Sequence, residues 1–315
     1  GAHTWNSHFG AEANPQGSKE PAVANRLYDK KTGTYETDEQ YTRRINTDIS
    51  LITNKIKSVT GKSPRAWVWP YGAANGTTLN LAKEHGYKMA FTLNEGLANA
   101  AFLDDIPRVL ISDNPSLKRF ASQVAQVREP QTMRVMHVDL DYVYDKDPAQ
   151  QKRNIDKLIQ RVYDMRISHV FLQAYADPKG DGNIREVYFP NRWLPMRADL
   201  FNYISWQLQT RAGVTVYAWM PVLAFDLDAS IPRVTAWDPK TGRTAINHEN
   251  YVRLSPWSSE ARQRITEIYE DLAKHASFKG ILFHDDAFLT DFEDASPEAL
   301  AAYRAAGLPG SIEQI

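Results

Sequence analysis

The chain has 315 residues, of which 43% are hydrophobic and 24% charged, and it contains no cysteine. A net charge of −1 at pH 7 argues against nucleic acid as a partner, and the lack of cysteine excludes disulfides and thiolate chemistry. The length favours two domains, and no apolar run approaches the ~18 residues that a membrane-spanning helix needs.

The first third of the sequence predicts an irregular start followed by helices and strands. Residues 1–36 are polar and rich in turn-forming residues, which indicates loop. A long helix is predicted over 37–60, with Thr37 as its N-cap. The further predicted elements are strands at 65–71, 87–93 and 106–111, helices at 77–85 and 116–127, and a linker at 128–132.

Four strand–helix units follow the linker with a regular rhythm. The predicted strands cover 135–140, 169–175, 214–220 and 280–284, and the predicted helices cover 148–165, 197–212, 258–275 and 296–306. Such alternation is typical of a parallel α/β sheet, and four units are half of an eightfold barrel. The chain opens on Gly-Ala-His without an initiator Met and stops where further strands are expected. We therefore expect a chain truncated at both ends.

The predicted fold class is α/β, in two parts. Residues 1–129 are expected to form the C-terminal part of a (β/α) barrel, and residues 130–315 the first four β/α units of a (β/α)8 TIM-like barrel.

Aspartates follow each of the four strands of the second part. They close the runs VMHVDLDYVY (135–144), HVFLQAYAD (169–177), VTVYAWMPVLAFDLD (214–228) and GILFHDD (280–286). Because the carboxyl ends of parallel strands meet at one edge of the sheet, these residues predict an acidic groove.

Glycoside hydrolysis usually needs two carboxyl groups flanking the scissile bond. We predict that Asp285 or Asp286 supplies one of them, with Asp139 and Asp141 on the other side of the groove. The alternative that any one of these aspartates is only a helix cap or a turn former stays open.

Aromatic residues near the same strand ends favour a sugar ligand. Tyr175 and Trp219 offer flat rings for stacking on pyranose faces, and His284 lies beside the acidic pair. Carboxylates next to such rings also suit the ammonium group of an amino sugar. The alternative that Trp219 belongs to the barrel core stays open.

Two histidines near the start form a second candidate site. His3 and His8 lie in HTWNSH, a spacing that suits a loop better than one face of a helix. A catalytic zinc-type site normally takes three protein ligands, so this pair needs a partner. The alternative is that both are ordinary surface histidines.

HTWNSH (3–8) and VWPYG (68–72) together resemble the carbohydrate esterase family of metal-dependent polysaccharide deacetylases. MHVDLDYVYD, GILFHDDAFLTDFEDAS and other long stretches extend the resemblance over nearly the whole chain. They are similar to the two-domain members of that family that act on poly-β-1,6-N-acetyl-D-glucosamine during biofilm export.

The resemblance implies a divalent metal (zinc, nickel, cobalt or iron) bound by His3, His8 and an aspartate. That aspartate, the general base and a further catalytic histidine lie upstream of this chain in the family. Trp69 and Tyr71 are expected to form a groove wall, and Val68 replaces an arginine found in many relatives. The chain alone is therefore expected to lack deacetylase activity.

The predicted function is modification of poly-β-1,6-N-acetyl-D-glucosamine by partial de-N-acetylation, with binding and endo-hydrolysis of the polymer in the second domain. The resemblance also implies a periplasmic location, a lipoprotein anchor upstream and an outer-membrane export porin as partner. The alternative is a non-catalytic carbohydrate-binding scaffold, in which Asp285 and Asp286 matter for affinity but not for turnover.

Overall fold

The computed structural model describes residues 1–94, 97–111, 114–125, 132–248, 251–309 and 311–314. Two hydrophobic cores lie in it, a smaller one around Trp67, Trp69 and Tyr41 and a larger one behind a parallel sheet. Within those ranges, no helix combines the length and apolar character needed to cross a membrane.

The first part packs helices against a pair of parallel strands. Its elements are β1 (Gly10–Glu12), β2 (Lys19–Pro21), β3 (Tyr28–Asp29), β4 (Thr34–Tyr35), α1 (Asp38–Thr60), β5 (Ala66–Val68), α2 (Gly76–Glu84), β6 (Met89–Phe91) and α3 (Leu117–Val124). The predicted cap of α1 is confirmed: the Thr37 side chain accepts from the Gln40 amide, and the Gln40 side chain accepts from the Thr37 amide. β5 and β6 pair in parallel, and α1 covers them with its apolar stripe.

Two predictions for the first part are wrong. Residues 1–36 contain two antiparallel hairpins, β1–β2 and β3–β4, which the polar composition did not reveal. The strand predicted at 106–111 is reduced to one bridge between Ile106 and Phe91, since Pro107 has no amide to continue a ladder. The end of the helix predicted at 116–127 and most of the linker predicted at 128–132 lie outside the described residues.

The second part is a four-stranded parallel sheet in the order β7–β8–β11–β14, which confirms the predicted α/β sheet. Its elements are β7 (Val135–Val138), α4 (Pro148–Asp164), β8 (His169–Gln173), β9 (Tyr175–Ala176), β10 (Glu186–Val187), α5 (Phe201–Gln207), β11 (Thr215–Met220), β12 (Ala236–Asp238), β13 (Arg243–Ala245), α6 (Ser259–His275), β14 (Gly280–Phe283) and α7 (Pro297–Ala305). Among the described residues the sheet is open, with β7 and β14 at its edges.

The helix predicted at 197–212 begins later than expected. The amides of Arg197 and Leu200 donate to the carbonyls of Val187 and Tyr188, so this segment is bound to the strand region before it can turn into a helix. α5 starts at Phe201 and continues as a π-helical turn over Leu208–Ala212.

The capping box of α1 gives a stability prediction. Thr37→Ala should lower the free energy of unfolding by about 1 kcal/mol, because the amide of Gln40 loses its acceptor. Thr47→Ala is the matched control: Thr47 is exposed inside the same helix, where alanine is the better helix former. Urea denaturation should show a lower midpoint for Thr37→Ala alone, and equal midpoints would contradict the assigned cap.

Candidate functional site

The two predicted histidines meet at the end of β5. Ala2 pairs with Trp67, which aligns the start of the chain beside this strand. His3 Nδ1 lies 2.7 Å from the carbonyl oxygen of Val68, and His3 Nε2 lies 3.1 Å from His8 Nδ1. Donation from Nδ1 to the carbonyl leaves Nε2 of His3 with its lone pair. Burial, together with the nearby His8 and Arg108, lowers the pKa of His3, which favours the neutral form that binds metals.

Asp48 of α1 holds the histidine loop in place. Its carboxylate accepts hydrogen bonds from the amides of Trp5 (2.9 Å) and Asn6 (2.7 Å) and from the hydroxyl of Ser7 (2.9 Å). The sequence analysis did not single out this residue. Its signal was available, since a charged residue at a buried position of an apolar helix stripe requires a partner.

The WPYG turn contributes one exposed ring. Tyr71 adopts a left-handed backbone conformation (φ 56°), and its ring centroid lies 4.8 Å from that of His8. Trp69 is fully buried and packs against Trp67. This burial argues against the predicted groove wall for Trp69, whereas Tyr71 remains accessible.

The paired imidazoles fit two ligands of a metal site. A ligand histidine typically donates its second ring N–H to a backbone carbonyl, as His3 does to Val68. Among the described residues, no group of three His, Cys, Asp or Glu side chains converges to hold a metal ion. The described residues thus offer two imidazole nitrogen donors at this position.

The second candidate site lies at the carboxyl edge of the parallel sheet. The Trp219 ring stacks on His284 at 5.4 Å with an interplanar angle of 19°, and Tyr175 contacts both rings, at 5.4 and 6.2 Å. The register explains the grouping, because Trp219 of β11 pairs with Gln173 of β8 and Leu282 of β14. Burial, with the negative charges of Asp139, Asp177 and Asp286 added, raises the pKa of the Tyr175 phenol.

The two predicted catalytic carboxylates differ sharply in environment. Asp286 is fully buried and accepts from the amides of Val222, Leu223 and Ala224 at 2.6–3.1 Å, which fixes the loop after β11. Asp285 has an 84% exposed side chain, and its Oδ1 lies 3.0 Å from His284 Nδ1. This geometry argues against direct chemistry at Asp286 and leaves Asp285 accessible to a ligand.

Asp139 and Asp141, the pair that follows β7, also differ from each other in environment. Asp141 accepts from the hydroxyl of Tyr188 (2.6 Å) and the amide of Asp177 (2.7 Å). Asp139 is half-buried and accepts from the amide of Asp141 at 2.8 Å. Burial, with the charges of Asp141 and Asp177 added, raises the pKa of Asp139. Asp139 therefore has the environment of a carboxylic acid that keeps its proton to higher pH than usual.

Tyr251 is a site residue that the sequence analysis missed. Its hydroxyl lies 3.1 Å from Asp285 Oδ1, and its ring meets the His284 ring edge-on at 5.1 Å. The glycine-rich turn 177–183 receives this ring: a Cβ on Gly182 would lie 2.3 Å from the Tyr251 ring. The two glycines of DPKGDG were visible in the sequence, but their partner is remote in the chain.

Gly182→Ala should displace Tyr251, whereas Gly180→Ala should not. Both glycines have positive φ (71° and 65°), so both substitutions strain the backbone, but nothing lies within 4 Å of a Cβ at Gly180. With 3-fluorotyrosine incorporated, the ¹⁹F resonance of Tyr251 should shift in Gly182→Ala alone. An unmoved resonance in that variant would contradict the contact.

Comparisons with known proteins match both parts of the chain. Residues 1–90 match the polysaccharide deacetylase model, and residues 137–315 match the model described as hypothetical glycosyl hydrolase family 13. Two curated relatives, from Escherichia coli strain K12 and Escherichia coli O157:H7, are each named poly-beta-1,6-N-acetyl-D-glucosamine N-deacetylase. Each is 52% identical over 314 residues, which cover 100% of this chain and 47% of the relative. The chain thus spans about half the length of these curated relatives.

A solved structure agrees with the second match. The glycoside hydrolase domain of PgaB (BpsB) from Bordetella bronchiseptica is 57% identical, with a TM-score of 0.53, over 57% of this chain and 52% of that one. The glycosyl hydrolase match alone spans more than half of the chain. The chain therefore belongs to the hypothetical glycosyl hydrolase family 13, and residues 1–90, which precede that match, match the polysaccharide deacetylase model.

Proposed function

We propose that this chain is part of a hydrolase that modifies poly-β-1,6-N-acetyl-D-glucosamine. The proposal rests chiefly on one observation: a paired-histidine site and a carboxylate–aromatic site occur in one chain that is 52% identical to proteins named for deacetylation of that polymer. Residues 1–129 are proposed as the C-terminal part of a deacetylase barrel and residues 130–315 as the first half of a TIM-like hydrolase barrel. The two family matches, at 1–90 and 137–315, support a boundary between them.

The first part is proposed to act in de-N-acetylation. His3 and His8 would hold a divalent metal (zinc, nickel, cobalt or iron), with a third, carboxylate ligand from the rest of the whole protein. When bound, such a metal supplies Lewis acidity toward the acetamide carbonyl and makes water a nucleophile near neutral pH. In this chain, Val68 orients His3, Asp48 fixes the loop, and Tyr71 offers a ring beside the reacting group.

Removing the loop anchor should weaken metal binding. In Asp48→Ala, the amides of Trp5 and Asn6 lose their acceptor, so His3 and His8 no longer share one orientation. Zn²⁺ titration followed by the imidazole ¹⁵N resonances should give about tenfold lower affinity than for the unmodified chain. Asp164→Ala, an exposed substitution at the end of α4, serves as the control. Equal affinities in all three proteins would rule out the anchoring role.

The second part is proposed to bind and cleave the partly deacetylated polymer. The partly exposed rings of Trp219 and Tyr251 offer stacking area, and the surrounding carboxylates suit a glucosamine ammonium. Tyr175 is buried and packs against Trp219, which argues against the predicted direct contact of Tyr175 with a sugar. In the cleavage step, Asp139 gives its proton to the glycosidic oxygen, the bond between that oxygen and the anomeric carbon breaks, and the departing sugar leaves with the new hydroxyl group while water adds to the anomeric carbon. The proton lost by that water passes to Asp285. Asp286 and Asp141 position the surrounding loops.

The assignment of Asp139 as acid predicts a pH dependence. The acid must be protonated, so the rate of oligosaccharide cleavage should fall as pH rises through the raised pKa of Asp139. Asp139→Asn should lower kcat by at least about 100-fold and remove this limb of the profile. Asp285→Asn should also lower kcat, whereas Asp164→Asn should not.

The alternative is a non-catalytic scaffold in the periplasm, which binds the polymer and guides it to an export porin of the outer membrane. The exposure of Asp285 beside a stacked ring pair favours binding as strongly as cleavage. If Asp139→Asn and Asp285→Asn both change oligosaccharide affinity while the substituted and unmodified chains show no turnover, the scaffold is the correct function.

A further inference from the structure

We propose that the two parts of this chain are held together by a proton-dependent contact, in which buried carboxyl groups must be neutral for the hairpins of the first part to dock on the second. The contact joins the segment 10–35, defined here as the clamp, to residues 199–202 at the start of α5. It is independent of the proposed enzymatic function.

The clamp and α5 interlock through buried polar side chains. Asn202 Nδ2 donates to Glu20 and, at 2.6 Å, to Asn25 Oδ1. Tyr35 donates its hydroxyl to Asp199 Oδ2 at 2.9 Å. Glu20 and Asp199 are 2% and 7% exposed, so water does not solvate either carboxyl group freely.

The backbone is tied across the same contact. Asn14 Nδ2 donates to the carbonyl oxygen of Asp199 at 3.0 Å and to Glu20 Oε1 at 3.3 Å. The amide of Asp199 donates to Gln16 Oε1 at 3.2 Å. A shift of the clamp by a few ångströms would therefore break hydrogen bonds on both sides of the boundary.

The described residues provide no ion-pair partner for Glu20 or Asp199. Arg26 lines the same small cavity, but its guanidinium donates to Asp38 at 2.6 and 2.8 Å and to the Lys274 carbonyl at 3.0 Å. Burial lowers the pKa of His275, which also lines the cavity, to about 3, so this ring is neutral. The other titratable groups that face the contact are Tyr28, Tyr35, Tyr203, Asp38 and Lys274.

Two buried carboxylates without a cation are costly, and protonation removes the cost. Burial raises the pKa of Asp199 to about 7. Burial and the nearby Asp199 raise the pKa of Glu20 well above its usual range. The pKa values of Asp199 and Glu20 are therefore higher when the clamp is docked than when it is undocked and both carboxyl groups are hydrated. The contribution to docking is therefore complete only below the pKa values of the undocked state, and it is lost as pH rises from there through the docked values.

Protection from hydrogen exchange tests the proposal. Peptides covering 10–26 and 199–207 report opening of the contact, and a peptide covering β8 reports the sheet. Comparing the unmodified chain with Asp199→Asn at the same pH cancels the intrinsic exchange rate. Asparagine keeps an acceptor for Tyr35 but cannot ionise. From pH 5.5 to pH 8, the unmodified chain should lose protection relative to Asp199→Asn by about tenfold or more in the contact peptides, but not in β8.

Two further variants serve as a second test and as a control. Glu20→Gln removes the second charge and should also flatten the pH dependence. Asp105→Asn breaks the Lys279–Asp105 ion pair (2.8 Å) between the two parts. Burial alone would raise the pKa of Asp105, but hydrogen bonds from Lys279 and Thr92 outweigh burial and lower this pKa. Asp105 is therefore ionised at both pH values, and Asp105→Asn, the control, should change protection equally at pH 5.5 and pH 8. The proposal would be overturned if protection of the contact peptides in the unmodified chain, divided by that in each of Asp199→Asn and Glu20→Gln, is the same at pH 5.5 and pH 8.

Discussion

The parallel register of four strands is the constraint on which the carboxylate–aromatic site depends. β8 pairs with β7 and β11, and β11 pairs with β14, so the residues that follow these strands emerge at one edge. His284 and Trp219 are 65 positions apart in the chain, yet their rings stack. A slip of one residue in any pairing would turn Trp219 or its neighbours to the opposite face and dismantle the site.

Burial and hydrogen bonding then give similar carboxylates different roles. Asp285 and Asp286 are adjacent, but one is exposed beside His284 and the other satisfies three backbone amides. Asp139 and Asp141 also differ in hydrogen bonding, because both oxygens of Asp141 accept hydrogen bonds, from the Tyr188 hydroxyl and from the amide of Asp177. The proposed chemistry falls to Asp139 and Asp285, the members of each pair that accept fewer hydrogen bonds from the protein.

The histidine site follows a related principle. Two imidazoles on a loop would sample many orientations if nothing fixed the loop. Asp48 on a neighbouring helix accepts from that loop, and the carbonyl of Val68 accepts from His3. The clamp lies between this site and the sheet edge in the chain, and its buried polar contacts fix the two parts relative to each other. Polar groups at such a boundary specify one arrangement more sharply than apolar surface does.

Alternation of helix and strand signals was enough to predict α1, α2, α4, α6, α7 and the four-stranded parallel sheet, and to place aspartates and rings at its carboxyl edge. Those signals are local, so the sequence by itself determined them. The short hairpins of the clamp, the burial of Trp69, the structural use of Asp286 and the arrival of Tyr251 over Gly182 were decided only by the tertiary structure. Each depends on which remote groups fill the space around a side chain, and no periodic pattern in the chain records that.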